Sequence, residues 1–91
     1  MNYSVDWKPD ALDGLAQAWM AIADKASVSA AEAEITRQLT RDPLAVGSAK
    51  SEGLRRIDVP PLVAYYSVDL PSRVVEVLQL GYLARPRPQA E

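Results

Sequence analysis

The side chains that could do chemistry in this sequence belong to Asp, Glu, Lys, Arg, Tyr, Ser and Thr, because its 91 residues include no Cys and no His. Without His, a Ser-His-Asp triad and imidazole general-base catalysis are excluded; without Cys, a thiol nucleophile, a disulfide and a Cys-based zinc site are excluded. Glu32 and Glu34 lie two apart in a helical segment and do not face each other, so they form no carboxylate metal site. We therefore predict no metal and no cofactor.

The remaining candidates lie in the C-terminal half. Arg56 and Tyr65 are predicted on one face of two successive strands, with Val63 beside them. We predict that Val63 and Tyr65 bind a partner, because apolar residues on an open face would otherwise stay wet. Arg55 has the opposite parity, so we expect it to point toward the helices at the sheet margin and to meet a carboxylate, with partner binding as its alternative role. Two further candidates follow the last strand: Tyr82 and Arg85.

Helix-forming and strand-forming residues are segregated along the chain. Nine of the 14 Ala lie between Ala11 and Ala33, whereas six of the nine Val lie between Val59 and Val77. This distribution is typical of an α+β protein. Alternation of apolar and polar residues over 2–7 adds a strand before the helices.

Periodicity places the helices. The stripe formed by Leu12, Leu15, Trp19 and Ile22 predicts a buried face on a helix from about residue 9 to about residue 25. A second helix is expected to begin at a capping box and to stop before a proline; the residues concerned are Ser29 with Glu32, Arg41 and Pro43. The Gly- and Ser-containing segment 43–53 is predicted as a loop.

After the loop, the residues that share one face recur at every second position, which predicts three strands at 54–59, 62–68 and 73–80. The predicted fold is α+β in the order β-α-α-β-β-β, with a helical hairpin packed on one face of a small antiparallel sheet and the other face open. We expect one domain over 1–84 and a frayed tail over 85–91.

The net charge of −2 is unevenly distributed. Residues 1–36 hold two basic and six acidic side chains, or −4, which leaves +2 for residues 37–91. No secretory signal is visible, and no apolar run approaches the roughly 18 to 20 residues that cross a bilayer. We expect a soluble cytoplasmic protein with no membrane partner.

The order of these segments resembles the RelE/ParE superfamily of toxins from bacterial type II toxin-antitoxin systems. The likeness covers residues 2–83 and depends on order, spacing and total length together. The segments that carry it are Tyr3-Ser4-Val5-Asp6-Trp7, Ala11-Leu12, Arg41-Asp42-Pro43, Gly53-Leu54-Arg55, Val59-Pro60-Pro61-Leu62, Val63-Ala64-Tyr65-Tyr66-Ser67-Val68-Asp69 and Val74-Val75-Glu76-Val77-Leu78.

The resemblance implies a cognate antitoxin as partner and two classes of cellular target. Some members of the superfamily cut mRNA on the ribosome with basic side chains of the open sheet face and a C-terminal Tyr or Arg. Others poison DNA gyrase and lack these residues. Both classes are silenced by an antitoxin that wraps the toxin.

The nuclease residues that the resemblance implies are mostly missing. Nuclease members similar in this region carry two basic residues two apart on the open face of the 54–59 strand, where this chain has Arg56 and then Asp58. Two further expected arginines fall on Val63 and Leu83. Tyr82 and Arg85 lie near the position where the resemblance implies a C-terminal Tyr or Arg. Tyr82, however, does not fall on the strand register expected for that residue.

Three hypotheses follow. The first, which we favour, is a toxin of this superfamily that inhibits growth without a complete nuclease site, so that enzymatic activity is not expected. The second is an mRNA endonuclease with a rearranged site, and its candidate residues are Arg56, Tyr65, Tyr82 and Arg85. The third is a non-toxic interaction module on the same scaffold. An acidic chain with few cations on the open face argues against the second, because RNA binding requires several neutralised phosphates.

Overall fold

The computed structural model describes residues 2–83. Its elements in chain order are β1 (Ser4–Trp7), α1 (Pro9–Ala21), α2 (Lys25–Arg41), β2 (Ser48–Ser51), β3 (Leu54–Val59), β4 (Leu62–Asp69) and β5 (Val74–Tyr82). Both helices pack on one face of a five-stranded sheet, which confirms the predicted α+β architecture and leaves the other face open. Arg85 and the predicted tail lie outside the described residues.

The sheet has the strand order β1-β5-β4-β3-β2. Strand β1 runs parallel to β5, and the other three neighbouring pairs are antiparallel. The sheet is therefore mixed rather than wholly antiparallel. The helical hairpin carries the chain from β1 at one edge of the sheet to β2 at the opposite edge, and the strand that pairs parallel with β1 comes last in the chain.

Strand β2 lies inside the segment that the sequence predicted as a loop. It pairs antiparallel with β3, with an irregularity between Ala49 and Ser51. All four of its residues are exposed, so it has no buried face and no apolar alternation to mark it. The prediction of a continuous loop over 43–53 is wrong for this reason.

The ends of the two helices are defined by polar contacts. Helix α2 begins at Lys25, earlier than the capping box at Ser29 predicted, because the carboxylate of Asp24 accepts a hydrogen bond from the backbone N–H of Ser27 at 3.2 Å. Helix α1 ends at Ala21, a turn earlier than predicted. The Lys25 ammonium donates to the carbonyls of Trp19 and Ile22, and so caps the negative end of α1 while opening α2.

The face of α1 that packs on the sheet is built from small residues. Ala11 and Ala18 are fully buried, and a Cβ at Gly14 would overlap the carbonyl oxygen of Leu80 in β5. The helix therefore lies directly against the β5 backbone at this point. Leu12, predicted on the buried stripe, is 50% exposed, which corrects that prediction, whereas Leu15, Trp19 and Ile22 pack against the core as predicted.

The core lies between the helices and the sheet. Tyr66, Ile35, Leu39 and Leu62 are its largest fully buried side chains. No charged or polar residue is buried among residues 2–83 apart from Tyr66, whose hydroxyl is hydrogen-bonded. The open face is thus the place where most polar side chains of the strands are found.

Candidate functional site

The open face is ordered into cross-strand rows by the register of β3, β4 and β5. Arg56 pairs with Tyr65, and Tyr65 pairs with Gln79, so these three side chains form one row. The next row consists of Asp58, Val63 and Gly81. Residues directly opposite each other in a sheet share a face, so the register brings Arg56, Tyr65 and Val63 together as predicted.

Arg56 makes a two-point ion pair with Asp58. Its Nε lies 2.7 Å from Oδ1 and its Nη2 lies 3.1 Å from Oδ2 of the carboxylate. The hydrogen bond to Asp58 is the main cause that raises the pKa of Arg56 above its usual value, so the guanidinium stays charged but compensated. The geometry is that of guanidinium bound to a planar anion, with the protein's own carboxylate as the anion.

Tyr65 adjoins this ion pair. Its hydroxyl accepts a long hydrogen bond from Nη1 of Arg56 at 3.4 Å, and the Arg56 Cζ lies 5.8 Å from the ring centroid. The side chain is half-buried. It lines a shallow depression of about 610 Å³ on the open face together with Lys8, Pro9, Asp10, Leu54, Leu78 and Gln79.

Lys8 supplies a second cation to the depression that Tyr65 lines, and its ammonium is also paired. Its ammonium lies 3.0 Å from the Asp6 carboxylate and 3.5 Å from that of Glu76. The hydrogen bond to Asp6 is the main cause that raises the pKa of Lys8 above its usual value. Arg56 and Lys8 therefore both face carboxylates of the protein itself, which weakens the attraction of this surface for phosphates.

Val63 departs from the exposure that the sequence predicted. It lies on the open side, outside the core cluster, but only 5% of it is exposed. The expectation that Val63 would remain wet until a partner covered it is wrong. Its neighbours in the row, Asp58 and Gly81, are exposed.

Tyr82 is separated from Arg56 by the sheet itself. It pairs with Leu62, a fully buried core residue, so the register places Tyr82 on the helix side. The residue is 40% exposed at the end of β5. Arg85, the other C-terminal candidate, lies outside the described residues, so the structure brings Arg56 together with Tyr65 alone among the four nuclease candidates.

Arg55 points toward the helices, as its parity predicted, but meets carbonyl oxygens instead of the expected carboxylate. Its Nη2 donates to the carbonyls of Leu44 at 3.1 Å and Val46 at 3.0 Å, and its Nε donates to the Tyr66 hydroxyl at 3.3 Å. These contacts fasten the segment between α2 and β2 to the sheet. Within residues 2–83 Arg55 has no carboxylate at ion-pair distance.

Tyr65 is the one lining residue of the depression that the sequence predicted as a site residue, and Lys8, Leu54 and Leu78 illustrate why the others were missed. Leu54 shares the parity of Arg56, a signal that could have placed it on the open face. Leu78 owes its position to a bulge, because Tyr65 pairs with Gln79 and Tyr66 pairs with Val77, leaving Leu78 without an opposite residue. Lys8 reaches the face through the parallel pairing of β1, for which the sequence has no local signal.

In the part of the chain that the structure describes, no three His, Cys, Asp or Glu side chains come together in a group that could hold a metal ion. Neither of the described helices has the length and hydropathy needed to cross a membrane.

Comparison with known proteins gives matches in structure alone. No family model and no curated protein matches the chain. The toxin-antitoxin complex RelBE2 from Mycobacterium tuberculosis contains a chain that superposes with a TM-score of 0.73 at 21% identity, over 90% of this chain and 99% of that one. The chromosomal ParDE system of P. aeruginosa gives a TM-score of 0.67 at 14% identity, over 90% of this chain and 97% of that one.

The chain has the RelE/ParE toxin fold. A RelE-RelB complex from Pyrococcus horikoshii OT3 matches as well, with a TM-score of 0.66 at 19% identity, over 93% of this chain and 99% of that one. Since these structures superpose over nearly their whole lengths, the RelE/ParE fold accounts for all the described elements. On this version of the fold, the open face carries the Arg56–Asp58 pair at the positions where the sequence resemblance implied two cations.

Proposed function

We propose that this chain is a growth-inhibiting toxin of a type II toxin-antitoxin system, neutralised by a small cognate antitoxin. The observation that carries the proposal is the superposition on one chain of the RelBE2 toxin-antitoxin complex, which covers 90% of this chain and 99% of that one. A second structure, described as a ParDE system, supports the same role. The cytoplasm is the expected compartment, because it contains the mRNA and the gyrase on which such toxins act.

The inhibition is proposed to be independent of mRNA cleavage. Phosphoryl transfer from RNA needs cations that are free to stabilise the developing charge. Arg56 is engaged by Asp58 at two points, and Lys8 is engaged by Asp6 and Glu76. An RNA phosphate would have to displace a carboxylate at each position and would then lie near the displaced negative charge.

An mRNA endonuclease with a rearranged site is the second candidate, because Arg56 and Tyr65 are adjacent on the open face. It would require Arg56 to leave Asp58 and a further group to enter from the C-terminal residues. Tyr82 is poorly placed for that role on the helix side of the sheet. DNA gyrase is the alternative target that remains when cleavage is not required.

The proposal is tested by inducible expression of the chain in a bacterial host, alone and together with the small gene adjacent to its own. Growth arrest by the chain alone, and relief of that arrest by the neighbouring gene, are expected. Continued growth at a verified level of folded protein would overturn the toxin proposal and favour the non-toxic interaction module. Arrest accompanied by cleaved mRNA would favour the endonuclease, and arrest accompanied by trapped DNA breaks would identify gyrase as the target.

A further inference from the structure

A groove runs between the first turns of α1 and the open face of the sheet. It consists of the depression of about 610 Å³ described above and a second one of about 400 Å³. The two depressions share Asp10, Tyr65 and Gln79 as lining residues, so they form one continuous surface, which we refer to as the α1–β5 groove.

The groove exists because β1 is short. Strand β1 ends at Trp7, opposite Val77 of β5. Beyond that point no described strand lies beside β5, and α1 follows its edge so closely that a Cβ at Gly14 would overlap the Leu80 carbonyl. The first turns of α1 therefore border the open face, and the bulge in β5 adds Leu78 to the lining.

Part of the lining is apolar. Leu54, Tyr65 and Leu78 contribute to it, and all three are half-buried. Contact with such a surface stabilises a ligand group that removes apolar area from water, and it does nothing for a hydrated phosphate. A side chain with a long aliphatic stem meets this requirement.

The charge around the groove is negative. Asp10 and Asp13 line it, both are exposed, and within residues 2–83 neither has an ion-pair partner. The nearby cations, Lys8 and Arg56, are paired with carboxylates of the chain. Around the groove, two cations thus stand against five carboxylates, a balance of −3, the carboxylates being those of Asp6, Asp10, Asp13, Asp58 and Glu76. This charge repels nucleic acid and favours a basic partner.

We propose that the α1–β5 groove binds a basic segment of a partner protein. A Lys or Arg of that segment lays its aliphatic stem against Tyr65 and Leu78 and places its charge at the Asp10 and Asp13 carboxylates. Lys and Arg are the side chains that combine an apolar stem with a positive end. The inference goes beyond the proposed function, because it holds whether or not the chain arrests growth.

The two aspartates differ in what else they do. Asp10 lies in the first turn of α1, where a carboxylate interacts favourably with the positive end of the helix dipole. Asp13 lies beyond that turn, where this effect has fallen off. Asp13→Asn therefore reports on the groove with the smaller effect on the stability of α1.

The test measures binding of a fluorescein-labelled peptide of alternating Arg and Leu to the purified chain by fluorescence anisotropy at low salt. Asp10→Asn/Asp13→Asn is expected to bind about fivefold more weakly, and Asp13→Asn about twofold more weakly, as for exposed ion pairs. Urea unfolding should confirm that both variants remain folded.

The matched control is Asp42→Asn/Glu52→Gln. It makes the same change in net charge as the double variant, at two exposed positions outside the groove, and should keep the wild-type affinity. Equal weakening by the control would attribute the effect to net charge and overturn the proposal.

A second peptide tests the apolar lining. A peptide of alternating Arg and Gly, with the same length and charge, should bind the wild-type chain more weakly, and Leu78→Ala should narrow the difference between the two peptides. Equal affinity of the wild-type chain for both peptides would overturn the proposal, because charge alone would then account for binding.

Two further results would give the groove a different occupant and overturn the inference. One is tighter binding of a single-stranded RNA than of the Arg-Leu peptide under the same conditions. The other is a dimer of the isolated chain that Asp13→Asn dissociates, because cations of a second copy would then fill the groove. A wild-type chain that binds neither peptide also overturns it.

Discussion

Arg56 is bound at two points by Asp58, a residue two positions further along the same strand, with N–O distances of 2.7 and 3.1 Å. Alternate residues of a strand lie on one face, so the chain supplies its own anion to the one cation that matches the nuclease pattern implied by the family resemblance. The contact is intramolecular and persists at any protein concentration. An incoming phosphate must therefore compete with a carboxylate that is already in place.

Asp58→Asn should release Arg56 toward solvent and increase binding of a short single-stranded RNA at low salt. The gain comes from restoring one uncompensated cation to the row that contains Tyr65. For each additional phosphate contacted, the slope of log affinity against log salt should steepen by about 0.7, which fluorescence anisotropy can measure. Asp69→Asn makes the same change in net charge at the exposed end of β4. Equal gains from the two variants would attribute the effect to net charge and contradict the role given to the ion pair.

Gly14→Ala should destabilise the protein by about 1 to 3 kcal/mol, the usual range for overpacking. Helix propensity alone predicts the opposite sign, a gain of up to about 1 kcal/mol. The added Cβ would overlap the Leu80 carbonyl, a backbone atom that cannot rotate away, so the steric term dominates. Urea unfolding measures the change, and Gln17→Ala on the exposed side of α1 serves as control. A stabilised Gly14→Ala would show that the close approach of α1 to β5 is not maintained.

Tyr66→Phe and Tyr65→Phe form a matched pair that differs in burial. The Tyr66 hydroxyl lies 2.7 Å from the Pro43 carbonyl, to which it donates, and the residue is fully buried. Its removal leaves buried acceptors unsatisfied and should cost about 1 to 3 kcal/mol of unfolding free energy. The Tyr65 hydroxyl has only a long contact with Arg56, so Tyr65→Phe should change stability much less. If the two variants lose the same unfolding free energy in thermal or urea unfolding, the hydrogen bonds of the Tyr66 hydroxyl to the 43–46 segment do not stabilise the fold.

Arg73 is the one non-glycine residue with a positive φ in the described range, at 57°. The left-handed conformation costs a residue with a Cβ roughly 1 to 2 kcal/mol, which glycine avoids. Both Arg73→Gly and Arg73→Ala remove the side chain, which lies over the ring of Tyr3 with its Cζ 5.7 Å from the centroid. We therefore expect Arg73→Gly to be the more stable of the two by about 1 kcal/mol. An alanine variant as stable as the glycine variant would contradict the strain.

Glu34 provides a pH-dependent contribution to stability. Hydrogen bonds from Arg37 and Gln38 lower the pKa of the Glu34 carboxyl below its usual value. A carboxyl with a depressed pKa in the folded state stabilises that state above its unfolded pKa, and the contribution is lost as pH falls through the folded pKa. Glu34→Gln should therefore reduce the difference in unfolding free energy between about pH 6 and about pH 3, compared with Glu52→Gln. Identical pH profiles for the two variants would show that the contacts do not persist in solution.

The sequence was sufficient for the arrangement of helices and strands where residue type and exposure coincide. Alanine-rich and valine-rich segments differ in their backbone preferences, so both helices and strands β3 to β5 could be predicted. Strand β2 could not, because all of Ser48–Ser51 is exposed and only pairing with β3 makes it a strand. The parallel pairing of β1 with β5 depends on contacts between residues about 70 apart, which local patterns do not encode.

The candidate site was predictable in its composition but not in its contacts. Strand parity placed Arg56 and Tyr65 on one face and Arg55 on the other, as the structure has them. Parity does not reveal that Asp58 would bind Arg56 or that carbonyls would bind Arg55, because these depend on side-chain conformations and on the path of the 43–46 segment. The apolar periodicity of α1 also placed Leu12 on the buried face, because the pattern is read from large apolar residues. The close approach of α1 to β5 at Gly14 instead requires small residues on that face.

We propose that this chain arrests growth without using Arg56 as a nuclease residue. The most direct measurement compares the growth of a bacterial culture after induction of the wild-type chain and of Arg56→Ala, at matched levels of folded protein and without the neighbouring gene. We predict arrest by both, to the same extent. Normal growth with the wild-type chain, or arrest that Arg56→Ala abolishes, would contradict the account.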